Sequence, residues 1–112
     1  MRIALAALLF ASPPALAQRG HVPECSQFEG IRKVRCERHE KMYDQCHAIS
    51  GPAHHECDRQ FLIAHPLDCT ALSGGDAGTC QAEVEAVAAC KDREGREFFA
   101  CARERLRADP RH

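Results

Sequence analysis

One short pattern, C-x4-G-x5-C, occurs four times in this 112-residue chain and accounts for all eight cysteines. The copies are Cys25–Gly30–Cys36, Cys46–Gly51–Cys57, Cys69–Gly74–Cys80 and Cys90–Gly95–Cys101. A glycine held at one offset four times marks a structural module: a turn, with a cysteine on each side near enough to bond. A longer period is laid over the short one. A shift of 44 residues carries each cysteine of the first half onto one of the second, and it carries Arg59 onto Arg103, Leu62 onto Leu106 and Pro66 onto Pro110. Two homologous modules, residues 18–64 and 65–112, account for both periods.

The N-terminus has the form of a secretory signal. Arg2 supplies the positive charge, Ile3 to Ala11 form an apolar run, and Ala15-Leu16-Ala17 is a small-x-small cleavage site. Cleavage after Ala17 leaves Gln18–His112. The apolar run is far shorter than the roughly 20 residues that cross a bilayer, so no transmembrane segment is expected after cleavage. An even number of cysteines in a short exported chain implies a disulfide framework, in the periplasm or outside the cell. Only 17 Val, Ile, Leu, Met, Phe and Tyr residues follow residue 17, and the chain has no Trp. So small a core leaves little margin over conformational entropy. Closing a loop of about 12 residues contributes roughly 2.5–3 kcal/mol in the chain-entropy account. Four such closures are comparable with the whole net stability of a small domain, about 5–15 kcal/mol.

Between the turns the spacing predicts helices. Ile31, Val34, Met42 and Ile49 share one helical face, and the helix that carries them is expected to end near Ser50-Gly51-Pro52. Pro52 suits the first turn of a second helix, from Pro52 to Ala64. In the second module Cys80, Val84, Val87 and Cys90 follow helical spacing, and Phe98, Cys101, Arg105 and Leu106 carry a last helix to about Ala108. Ala71 to Thr79 reads as a Gly- and Ser-rich loop, with Asp76 or Thr79 as helix N-cap. The fold class is therefore all-α: two tandem modules of short antiparallel helices with a disulfide at each helix–helix turn.

Eight cysteines allow 105 complete pairings. Cys36 and Cys46 lie ten residues apart on one helix, about 15 Å. A disulfide needs Cα atoms within about 7 Å, so these two cannot bond, and neither can Cys80 and Cys90. Folding back at the glycines predicts Cys25–Cys36, Cys46–Cys57, Cys69–Cys80 and Cys90–Cys101, with Gly30, Gly51, Gly74 and Gly95 as the turns.

The internal spacings Cys36-x9-Cys46 and Cys80-x9-Cys90 give part of the chain a resemblance to twin CX9C helical hairpins. The repeated C-x4-G-x5-C unit, with runs such as Ser50-Gly51-Pro52-Ala53 before Cys57, resembles a group of small exported proteobacterial proteins without an assigned activity. That resemblance implies export and a disulfide scaffold, and it transfers no site residue.

Charge narrows the function classes. The mature chain has 14 Lys and Arg against 16 Asp and Glu, with the signs interspersed. Arg32, Lys33, Arg35, Arg38 and Lys41 alternate with Glu29, Glu37 and Glu40, a pattern of solvated i,i+4 pairs such as Glu29–Lys33 and Glu37–Lys41. A nucleic-acid partner would call for a one-signed basic face with stacking aromatics, and the chain has neither. No C-x-x-C, H-E-x-x-H, G-x-S-x-G or phosphate-binding glycine loop occurs, so no catalytic residue or cofactor is assigned. His47, His54 and His55, around the Gly51 turn, form a candidate zinc or copper ligand group. Their counterparts to His54 and His55 in the second module are Phe98 and Phe99. The adjacent Phe98–Phe99 and the run Phe61-Leu62-Ile63 are candidate core positions, with an exposed contact site as the alternative. The leading expectation is a non-catalytic binding module that engages another envelope or extracellular protein; the alternative is a metal-binding protein using the histidines.

Overall fold

The computed structural model describes residues 24–112, and among them the chain is all-α. The signal segment expected over residues 1–17 lies outside the described residues. A short 3-10 turn, Cys25–Gln27, precedes four helices: α1 Gly30–Cys46, α2 Pro52–Ala64, α3 Gly74–Cys90 and α4 Gly95–Ala108. The 44-residue shift maps α1 onto α3 residue for residue. No helix among the described residues is long and apolar enough to cross a membrane.

All four expected disulfides are present, with Cα atoms 5.5–5.9 Å apart. Each ties the segment before a helix to that helix's second turn. Cys46, the last residue of α1, is bonded to Cys57 in α2, and Cys90, the last of α3, to Cys101 in α4. Cys25 and Cys69 likewise fasten the chain ahead of α1 and α3. The glycines sit at the start of the following helix and not, as the sequence suggested for Gly51, at the end of the preceding one. Gly51 has φ 67° and ψ −151°, a conformation closed to residues with a side chain. It turns the chain sharply enough for Cys57 to face back onto Cys46. At Gly30 (φ +60°) a Cβ would also lie 2.0 Å from Asp76 Oδ2, so a second constraint excludes a side chain there.

Two further expectations are corrected. The first helix was expected to reach Ile49 but ends at Cys46, and Ile49 is 39 % exposed. The chain must turn over residues 47–50 to bring Cys57 round. Ala71 to Thr79 was expected to be loop, yet α3 begins at Gly74. The poor helix propensity of this glycine-rich stretch is overridden because the Cys69–Cys80 bond pins it against the rest of the module. Asp76 does not cap its own helix. Its Oδ2 accepts a hydrogen bond from the Ile31 backbone N–H at 3.1 Å, so it caps α1, in the other repeat.

That contact also sets how the repeats meet. Asp76 joins the first turns of α1 and α3, and Arg35 is paired with Glu83 further along, so the two helices run in the same direction. His55 of α2 lies against Phe99 of α4, its 44-residue equivalent, with ring centroids 6.4 Å apart. The second hairpin is thus stacked on the first with the same polarity, α3 beside α1 and α4 beside α2, as in a helical repeat array. Ile31, Leu67 and Cys80 form a core between the repeats, with Val34, Cys69, Leu72 and Val84 packed on it. Phe61 and Phe98 are buried, Phe98 to 1 % exposure, while Phe99, Leu62 and Ile63 are half-buried. The ion pairs expected along α1, Glu29–Lys33 and Glu37–Lys41, are not among those formed by the described residues. Glu29 lies in extended backbone ahead of the helix, where the i,i+4 relation does not apply.

Arg59 locks the other end of the stack. Its Nε donates to the Arg93 carbonyl at 2.8 Å and its Nη2 to the Lys91 carbonyl at 3.1 Å, serving the chain just past α3. Its Nη1 is paired with Glu56, and the guanidinium lies 5.9 Å from the Phe98 ring centroid. Its repeat equivalent, Arg103, is exposed.

Two stability measurements follow from these placements. Gly51→Ala is expected to destabilise the protein by about 1–3 kcal/mol. Gly75→Ala, where an added Cβ meets nothing within 4 Å, should change stability by less than about 1 kcal/mol. Arg59→Ala should destabilise by about 1–2 kcal/mol, since it removes two hydrogen bonds from a cation to exposed carbonyls together with its packing on Phe98, and Arg103→Ala by less than about 0.5 kcal/mol. Guanidinium denaturation without reductant, followed by circular dichroism, compares both pairs.

Candidate functional site

The seam between the stacked hairpins is concave, and all four helices contribute to it. Met42, Leu62, Val87, Ala102 and Leu106 give it an apolar lining, and Arg35, Arg38, His39 and Glu83 supply charge. The groove has a volume of about 380 Å3 and is open to solvent. Leu62 and Leu106, equivalent residues of the two repeats, meet in it. A concave apolar surface with a few converging charges is the usual form of a binding site.

The charges in the groove are unequally satisfied. Glu83 is paired with Arg35, which donates from Nε at 2.9 Å and also from Nη2, and His112 Nε2 approaches the same carboxylate at 3.3 Å. Arg38 closes no hydrogen bond or ion pair with the described residues. Burial pushes its pKa below the ordinary arginine value. The Glu83 charge offsets part of that and the neighbouring Arg35 adds to it. The guanidinium remains a cation at any ordinary pH. Arg38 also lines a second groove, of about 340 Å3, with Val34, Phe61, Leu67, Lys41 and Asp68. It therefore stands on the ridge of α1 between two grooves.

That second groove has a counterpart in the other repeat. Ala82, Arg105, Ala108, Asp109, Pro110 and Arg111 line a groove at the positions of Arg38, Phe61, Ala64, His65, Pro66 and Leu67, shifted by 44 residues. The contents differ. Where Leu67 is buried in the inter-repeat core, Arg111 forms ion pairs with Glu85 and with Asp109, at 2.7 Å for the latter. The Arg111 carbonyl accepts from Thr79 Oγ1 at 2.9 Å. This polar latch covers the α3 side of the second repeat. Hydrogen bonds from the Arg111 side chain and backbone lower the Asp109 pKa from 3.8 to about 2, and the Arg111 pKa is raised in turn. Hydrogen bonds from Arg111 and Gln81 hold Glu85 below the usual carboxylate range.

The three histidines of the Gly51 turn are near one another in sequence but are not gathered into one ligand set. His54 Nδ1 lies 2.9 Å from the Cys46 carbonyl and 3.0 Å from that of Ile49, and its Nε2 lies 3.2 Å from Asp58. It lies against carbonyls at and just past the end of α1, one of which, that of Cys46, also accepts from the Ile49 N–H at 3.1 Å. His47 Nδ1 meets the Tyr43 carbonyl at 2.7 Å and its ring stacks on that of Tyr43. His55 is edge-on to Phe99. Among the described residues, the trio with candidate ligand atoms within 4.8 Å of one another is Cys25, Cys36 and Glu40, and its two sulfurs are bonded together.

Sequence reasoning placed Arg38 among solvated surface charges and so missed it as a groove residue. The signal was in the repeat: a 44-residue shift takes Arg38 onto Ala82 and Met42 onto Ala86, both buried. A core-facing position that holds alanine in one repeat and arginine in the other marks a cation drawn into the seam. The four intramolecular disulfides suit an oxidising compartment. No protein-family model, curated protein or solved structure matches the chain.

The latch has a pH signature. A carboxylate with a depressed folded-state pKa stabilises the fold above its unfolded value, and that contribution is lost as pH falls through the folded value. For Asp109 the window runs from 3.8 down to about 2. Carboxyl-carbon NMR should find Asp109 titrating near the bottom of that window, and near its top in Arg111→Ala.

Proposed function

We propose that this protein is an exported binding module of the periplasm or cell envelope that engages another protein without catalysis, through the groove between its stacked hairpins. The observation that carries this reading is Arg38, a half-buried cation beside an apolar groove that closes no hydrogen bond or ion pair with the described residues. Keeping a guanidinium partly desolvated without a partner is costly. A ligand that supplies the partner recovers that cost on binding. The scaffold supports the same reading, because disulfides fix each hairpin and little ordering entropy remains to be lost when a ligand docks. The signal-like N-terminus and the resemblance to small exported proteobacterial proteins support the compartment.

Site-specific photo-crosslinking tests it. The full-length chain, exported by a Gram-negative host, carries a benzophenone amino acid at Leu62 in the groove or at the exposed Arg107 on α4. A discrete adduct with an envelope protein is expected from position 62 and not from position 107. Equal adducts at both positions, or none at either, would refute the reading.

A further inference from the structure

We infer that the groove takes an extended peptide segment whose side-chain carboxylate pairs with Arg38 while flanking apolar side chains enter the hollows on either side of it. This rests on the binding-module reading above and adds the chemistry of the ligand. Three observations carry it.

The first is charge complementarity. Glu83 bonds directly to Arg35 and His112, and Arg38 feels its charge without closing a hydrogen bond or ion pair with it or with any other described residue. A carboxylate is the group that a guanidinium fork matches in shape as well as charge, through paired N–H···O bonds. The second is placement. Arg38 lines both grooves, with Leu62, Val87 and Leu106 in one and Val34, Phe61 and Leu67 in the other. A ligand seated on Arg38 can therefore place an apolar group to each side. In an extended peptide, side chains on one face recur every second residue, so an acid between two apolar residues of the same face meets this layout. The third is the nature of the rim. Both hollows are open to solvent and edged by both signs of charge, with Glu37, Lys41 and Asp68 at one and Arg35 and Glu83 at the other. A fatty acyl chain laid there would stay largely wet. A peptide keeps its backbone and opposite face in water and finds donors and acceptors along the edges.

Fluorescence anisotropy with labelled nonapeptides tests the inference on the oxidised, full mature chain. One peptide carries a glutamate between two same-face leucines; its counterparts carry glutamine or lysine at that position. The glutamate peptide should bind about tenfold or more tightly than the glutamine peptide, as befits a hydrogen-bonded charge pair, and the lysine peptide should bind more weakly still. Arg38→Met keeps the alkyl stem and should abolish the preference for glutamate, whereas Arg38→Lys should retain part of it. Because the peptide series varies only the ligand, it stands even if a variant folds poorly. Equal affinity for the glutamate and glutamine peptides would overturn the inference, as would an unchanged preference in a folded Arg38→Met protein. Binding of dodecanoate without binding of any peptide would also overturn it. If Leu62 crosslinks specifically to an envelope protein while these peptides fail, the ligand chemistry proposed here is wrong and the binding-module reading survives. If position 62 yields no adduct either, both fall.

Discussion

A covalent bond across every helix entry is the constraint on which the rest of this structure depends. In each C-x4-G-x5-C unit the glycine opens a turn that residues with side chains resist, and the cysteines eleven positions apart close it. The sulfur also fills space. Five of the eleven buried apolar residues among those described are half-cystines. Crosslink and core are thus largely the same atoms, which is how a chain with so few large apolar side chains holds four helices in place. None of the four helix N-caps makes a side-chain hydrogen bond of its own. The disulfides fix where each helix starts, and the Asp76 carboxylate caps α1 from the other repeat.

The two repeats share a plan but not a role. Where the first has Arg38 and Met42, the second has Ala82 and Ala86; the position held by Leu67 just past α2 is held by Arg111 just past α4. The alanines let α3 and α4 pack closely. The larger residues of the first repeat hold the seam open and charge it. Leu67 sends the chain into the core between the repeats, while Arg111 seals the far side with ion pairs, as the polar end of a repeat array requires. Arg59 reaches across the seam and Arg103 does not, so the groove belongs to the interface and not to either repeat alone.

What was legible in the sequence was local. The disulfide pairing followed from helix geometry and turn spacing, and α2 runs from Pro52 to Ala64 as the proline positions imply. What was not legible depended on the other repeat. Asp76 has the form of a local helix cap, but its carboxylate is used by Ile31, 45 positions away. The glycines after Ser73 argue against helix by propensity, and the crosslink at Cys80 overrules them. Arg38 looks like one more surface charge until its register is compared with the buried Ala82. In each case a tertiary partner reassigns a residue whose neighbours in sequence suggest something else.

All four crosslinks lie within a hairpin: two hold residues 25–57 together, two hold residues 69–101, and none bridges the pairs. The molecule is two sulfur-braced plates joined covalently at residues 65–68 and otherwise held by non-covalent contacts: the Ile31–Leu67–Cys80 core, the Asp76–Ile31 bond and the Arg59 bonds. The shape of each plate is thus fixed by sulfur, while the register of one plate on the other rests on packing, hydrogen bonds and ion pairs. Under reductant the plates would lose their bracing, and under mild denaturant without it their seam would part first.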